Sequence, residues 1–263
     1  MSILLPSLFI GHGSPMNALA DNAFTRAWAA LGQSIPRPRA ILCISAHWYT
    51  RGTALTIATS PRTIHDFGGF PRELYLVQYP APGDVDLAHR VRRLLTPLPA
   101  ELDDQWGLDH GTWSVLKHMY TEADIPVVQL SIDGTKPARF HYEVGQRLAT
   151  LRQEGVLILG SGNVVHNLSA FMWGRQGGEL GDSAAIFDAR VRNLIAARDY
   201  DPLIQYETLG REAAFAVPTP EHYYPLLYTL GAGNSAGNSN DAIQFPVEGI
   251  AGGAISMLAV QVG

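Results

Sequence analysis

Apolar residues arrive along the chain in short runs separated by turn residues: SLFIG (7–11), AILCISA (40–46), ALTIAT (54–59), PVVQLSI (126–132), GVLILGSG (155–162) and GGAISMLAVQV (252–262). Several are apolar at successive positions rather than at alternate ones, which is how a strand reads when both of its faces are covered. Segments with helical spacing lie between them at 20–32, 84–96, 112–122, 138–153, 184–198 and 221–230. The pattern predicts an α/β fold: a single domain over 1–263 with a central, mostly parallel (mixed) sheet flanked by helices on both faces. Asp84 and Thr112 are the expected N-caps of two helices. GRQGGELGD (174–182) and GAGNSAGNSND (231–241) have no apolar period and read as surface loops, the second a candidate lid.

Composition narrows the function classes. Charged residues make up 16% of the 263 and the formal net charge is −5, so the chain lacks the clustered basic footprint of a nucleic-acid binder. "RPR" (37–39) and "HRVRR" (89–93) are short enough to be solvated surface. No uninterrupted apolar run approaches the roughly 18 residues of a membrane span, so no membrane partner is expected. The start, MSILLPSLFIGHG, has no basic leading region and is broken by Pro6; it reads as a first strand, not a secretion signal. The lone cysteine, Cys43, lies inside an apolar run, as a small buried residue does, and cannot form an internal disulfide. A cytoplasmic setting is expected.

The chemistry lies in the histidines. Of nine, five fall at element boundaries: His12 after the first strand in GHGSP, His47 after the second in SAHW, His166 just past LILGSGN, His110 before a helix in LDHGTW, and His222 at a helix start in TPEHYYP. Any one of them is more often structural than functional. Together they differ from scattered surface residues, because strands of an open α/β sheet deliver side chains to one crevice beyond their carboxyl ends. Convergent imidazoles there point to a metal. His89, His118 and His141 fall within helical segments and read as fillers, and His65 reads as a loop residue lining a pocket. No H-E-x-x-H, CxxC pair, Walker loop or G-x-G-x-x-G is present, and Ser161 in GSGN lacks the flanks of a nucleophile turn.

In order along residues 9 to about 257, GHGSP, SAHW, HDFGGFP, YPAPG, DHGTWSVL, PVVQLSID, GSGNVVHNL and PEHYYPLL together resemble the DODA-type extradiol ring-opening dioxygenases of the LigB superfamily. The resemblance implies His12, His47 and His222 as metal ligands, His166 as a ligand or a group acting on substrate, and His110 as the acid/base. It implies a small catechol and O2 as substrates and a muconic semialdehyde as product. The sequence leaves open which of the neighbours Glu221 and His222 faces the metal. An all-imidazole set suits Zn²⁺, expected in isolated protein, and Fe²⁺, expected as the catalytic ion because only iron brings the redox chemistry O2 requires. HDFGGFP (65–71) and Trp48, Trp113, Tyr223 and Tyr224 are expected to finish an aromatic pocket. Two other readings stand beside this one: a zinc hydrolase of a small ester or amide, and a non-enzymatic binding module on the same fold.

Overall fold

Phe9 lies against one core while Leu8 and Ile10 lie against another, and the same alternation repeats at Leu42 and Ile44 against Ile41 and Cys43, and at Ile158 against Leu157 and Leu159. A strand that is apolar at every position is thus one that feeds two cores, with helices closing each side. The computed structural model describes residues 4–171, 179–234 and 241–263. The chain runs through β1 (Ser7–Gly11), α1 (Ala23–Ser34), β2 (Ala40–Ser45), β3 (Tyr49–Thr50), β4 (Thr53–Thr56), α2 (Arg72–Tyr75), α3 (Val85–Leu95) and β5 (Ala100–Asp103). Then come α4 (His110–Met119), β6 (Val127–Gln129), β7 (Ile132–Asp133), α5 (Ala138–Leu148) and β8 (Val156–Gly162). The last part holds α6 (Glu179–Ala196), α7 (Asp201–Ile204), α8 (Arg211–Ala216), α9 (Tyr224–Gly233), β9 (Ile243–Val247), β10 (Ile250–Ala251), β11 (Ile255–Ser256) and β12 (Ala259–Val262).

The central sheet has the order β6-β2-β8-β1-β12-β9. Its first four strands are parallel, whereas β12 runs antiparallel to β1 and β9 antiparallel to β12. The mostly parallel sheet read from the apolar runs is therefore present, and one antiparallel edge makes it mixed. Helices α1 and α4 lie against the face of Leu8, Ile41 and Leu157, and α5, α6 and α9 against the other. Among the described residues no helix is long and apolar enough to cross a membrane.

Register is what places the site. Gly11 of β1 pairs with Gly162 of β8, and Ser45 of β2 pairs with Ser161, so the three strands end level with one another. The residues that follow, His12 and His47 among them, emerge side by side.

Three local expectations change. Asp109, not Thr112, caps α4: its carboxylate accepts the Thr112 N–H at 3.1 Å, and the helix starts at His110. A carboxylate three residues upstream is the better acceptor for the free amides of a first turn. Asp84 does cap α3, accepting from the Leu87 N–H at 2.8 Å. Residues 179–182 and 231–233, expected in loops, belong to α6 and α9; the remaining glycine-rich stretches, 174–178 and 235–240, lie outside the described residues.

Candidate metal centre

All five boundary histidines, His12, His47, His110, His166 and His222, line one cavity of about 380 Å³ at the carboxyl ends of the parallel strands. His12 follows β1, and its N–H donates to the Gly162 carbonyl at 3.1 Å, which fixes the residue at the end of the β1–β8 ladder. His47 follows β2 through a short turn. His222 arrives from the opposite direction, in the turn before α9, where its carbonyl accepts from the Asn163 N–H at 2.8 Å. That approach needs Gly162: a Cβ there would stand 2.2 Å from the His222 carbonyl oxygen.

One ring nitrogen from each of His12, His47 and His222 lies within 4.8 Å of the other two. The Nε2 atoms of His12 and His47 are 3.1 Å apart, and the Nε2 of His222 is buried with no hydrogen-bond partner. The opposite ring nitrogens explain the orientation. His222 Nδ1 hydrogen-bonds Glu221 Oε1 at 3.3 Å, and His47 Nδ1 faces the Asp66 Oδ2 carboxylate oxygen at 3.2 Å as a charge contact. His12 Nδ1 lies 3.1 Å from Ser161 Oγ, whose own hydrogen goes to the Gly111 carbonyl at 2.5 Å, so that the hydroxyl accepts from the ring. Each imidazole thus carries its hydrogen on Nδ1 and turns a lone pair inward on Nε2. Two lone pairs 3.1 Å apart repel unless a cation lies between them, and the orphaned Nε2 of His222 asks for the same partner. These residues fit a divalent metal bound by three imidazoles with outer oxygens behind each.

Electrostatics points the same way. Burial, followed by the like charge of neighbouring histidines, holds His12, His47 and His222 well below the ordinary imidazole value. They are neutral at pH 7, the form a metal requires. Burial also lowers His166, to about 4, against the opposing pull of Glu221.

His166 and His110 occupy different places. The His166 ring lies parallel to that of His222, with centroids 3.4 Å apart, and its ring nitrogen groups with Glu221 and His222 rather than with His12 and His47. His110 opens α4, with Nδ1 3.0 Å from Asp66 Oδ2 and its ring centroid 3.8 Å from that of His47. Burial alone would raise the Asp66 carboxyl, but the hydrogen bond from His110 and the charges of His110 and His47 hold it at about 2. The carboxylate is ionised at neutral pH.

The cavity walls differ from expectation. Phe67, Gly68 and Phe70 of HDFGGFP line it, together with Pro15, Leu168, Phe171 and Ile255. Trp48, Trp113, Tyr223 and Tyr224 are instead buried core residues, because such volumes are best buried on all sides. Trp113 still serves the site indirectly: its Nε1–H donates to the Ile64 carbonyl at 2.8 Å and holds the loop that carries Asp66 and Phe67. His65, expected in the pocket, meets the Val77 carbonyl through Nε2 at 3.0 Å and braces that same loop. Asp66 and Ser161 are the polar groups of the site that sequence reasoning left without a role. Asp66 sat inside a quoted motif, but nothing in its spacing set it apart from any loop carboxylate.

Comparison with known proteins identifies the family. Residues 9–252 match the family described as the catalytic LigB subunit of aromatic ring-opening dioxygenase. A protein of Escherichia coli (strain K12) named 4,5-DOPA dioxygenase extradiol is 50% identical, over 100% of this chain and 96% of its own length. One of the same name from Beta vulgaris is 40% identical over 86% of each. A crystal structure of an uncharacterized protein from Escherichia coli K12 superposes with a TM-score of 0.84 at 45% identity, covering 98% of this chain and 100% of that one.

Proposed function

The chain belongs to the LigB family of catalytic subunits of aromatic ring-opening dioxygenases; it is a metal-dependent extradiol dioxygenase, and we propose that its substrate is a small single-ring catechol of the 4,5-DOPA kind, opened to a muconic semialdehyde that keeps both atoms of O2. The observation that carries the reading is the convergence of three inward-facing imidazole nitrogens on the floor of an aromatic-walled cavity sized for one ring. His12, His47 and His222 would hold the metal, with Glu221 behind His222 as the acceptor for its Nδ1–H. What the site gains from a bound divalent cation is acidity of the catechol hydroxyls and, with Fe²⁺ rather than the Zn²⁺ that three imidazoles also accept, the redox chemistry O2 requires.

The remaining work falls to the chain's own side chains. His110 donates its Nδ1–H to Asp66, which leaves Nε2 free to take the second phenolic proton and to return one as the ring opens. His166, beside His222 and facing the cavity, orients the substrate ring and its oxygens. Phe67, edge-on to His110 with centroids 5.5 Å apart, excludes water from the base and offers an apolar wall to a planar substrate.

The test is oxygen uptake by anaerobically iron-loaded protein, with metal content measured on the same sample and DOPA and caffeate as substrates. Uptake that requires both iron and the catechol, matched to loss of the catechol, is the expected result. Failure of every catechol, alongside turnover of small esters by the zinc form, would replace the reading with the hydrolase.

A further inference from the structure

We propose that Asp66 is a positioning residue that sets the ring hydrogens of a metal ligand and of the catalytic base together, through one carboxylate oxygen. This rests on the roles proposed above for His47 and His110. Asp66 Oδ2 lies 3.2 Å from His47 Nδ1 and 3.0 Å from His110 Nδ1, while Oδ1 accepts the His110 backbone N–H at 2.9 Å. The two hydrogen bonds come from His110; His47 Nδ1 faces the same oxygen as a charge contact, and a carboxylate, which only accepts, favours a ring hydrogen on the nitrogen turned toward it. Both rings therefore hold their hydrogens on Nδ1, and both present Nε2 as a lone pair. For His47 that lone pair is the metal-binding atom; for His110 it is the proton acceptor.

The alternative, that Asp66 simply fastens its loop, is weakened by what else fastens it. Trp113 holds the Ile64 carbonyl, the Ile64 N–H donates to the Leu108 carbonyl at 2.7 Å, and His65 holds the Val77 carbonyl. None of these needs the Asp66 carboxylate. Asp66→Asn is thus the informative change. Its amide oxygen can keep the His110 backbone bond, while its NH2 group presents hydrogens where Oδ2 accepted them. A ring that accepts one of those hydrogens on Nδ1 must carry its own on Nε2, the wrong nitrogen for either task. In serine-protease triads the same replacement costs about 10⁴ in kcat through the wrong tautomer.

Two readouts are expected to move in Asp66→Asn. Metal affinity, measured by chelator competition without substrate, should fall ~10- to 100-fold, as for other lost partners of metal-bound histidines. At saturating iron, kcat should still be ~10² to 10⁴ lower, with KM for the catechol nearly unchanged, because the base is disabled independently of metal occupancy. The melting temperature of the metal-free protein should change little, and Asp66→Glu, which keeps a carboxylate, should recover part of both losses. His47→Gln and His110→Gln, measured alongside, separate the two levels of argument. If His47→Gln sheds metal and His110→Gln loses turnover while Asp66→Asn keeps wild-type affinity and kcat, the assignment of Asp66 is overturned and the reading of the histidines stands. Losses in Asp66→Asn that merely follow a fall in melting temperature overturn it too. If His110→Gln turns over like wild type, the reading itself falls, and the role of Asp66 with it.

Discussion

His141, beneath α9, and the trio His12, His47 and His222 at the strand ends share two properties: each is held below the ordinary imidazole value, and desolvation is the leading cause in every case, although His47 is only half-buried. They differ in where their nitrogens point. His141 Nδ1 meets the Tyr228 hydroxyl at 2.9 Å, and its ring stacks on Tyr224 with centroids 4.1 Å apart. A phenol both donates and accepts, so that contact leaves the tautomer free. In the trio, each Nδ1 faces an oxygen that can only accept from it, at 3.1 Å for His12, 3.2 Å for His47 and 3.3 Å for His222, and the other nitrogens face one another. Burial and a lowered pKa therefore describe an environment; fixed tautomers with converging lone pairs describe a site.

The sharpest way to break this comparison is to remove one member of each region. His222→Ala should empty the metal site and reduce oxygen uptake to background, whereas His141→Gln should leave metal content at the wild-type level; equal metal loss in both would erase the distinction. The next effect separates roles within the cavity. His110→Gln should retain metal and fold while turnover falls by ~10² to 10⁴, checked by kcat at matched iron loading.

The third prediction concerns pH. His141 is lowered to about 4 in the folded protein, against about 6.5 for an unfolded histidine. Between those values the unfolded chain binds the extra proton, so the contribution of His141 is fully present above 6.5 and is lost as pH falls toward 4. Denaturant unfolding of metal-free protein should show stability falling by up to ~1.4 kcal/mol per pH unit from this residue, and His141→Gln should flatten that part of the slope. A slope unchanged by the substitution would show that the titration lies elsewhere.

The smallest effect expected is at Gly111, where a Cβ would stand 2.5 Å from Ser45 Oγ and 2.9 Å from His47 Cδ2. Ser45 is committed to Asp109 at 2.7 Å, so the His47 ring is the part that must shift. Gly111→Ala should cost ~1–3 kcal/mol of stability and, unlike any comparable methyl near His141, also weaken metal binding by about 10-fold, both measurable by melting with and without zinc.

Much of the scaffold was legible because its central strands are apolar at every position, and their C-terminal ends announce themselves with Gly-His or Ala-His. That logic brings His12 and His47 to one crevice. It fails where pattern is set by tertiary company. Ile243–Val247 was not read as a strand, since its residues are mostly half-buried or exposed and Pro246 interrupts it, as an edge strand permits. The cavity wall was misassigned because large aromatics suggest a ring-binding pocket in a sequence, while in the fold Trp113 and Tyr223 fill core and a glycine-rich loop supplies Phe67 and Phe70. Asp66 escaped notice because its importance depends on two histidines that only the folded loop brings to it.

The position of β1 has a consequence for biosynthesis. This strand precedes both of its neighbours in the chain, sits between β8 and β12 and carries His12 at its end. A chain emerging from the ribosome can pair β1 with β8 once residue 162 is out, but it has no third imidazole until residue 222 follows, and β1 has an open flank until Ala259–Val262 is made. With His12, His47 and His222 as the proposed ligands, metal capture waits on residue 222, some sixty residues after the β1–β8 pair can close.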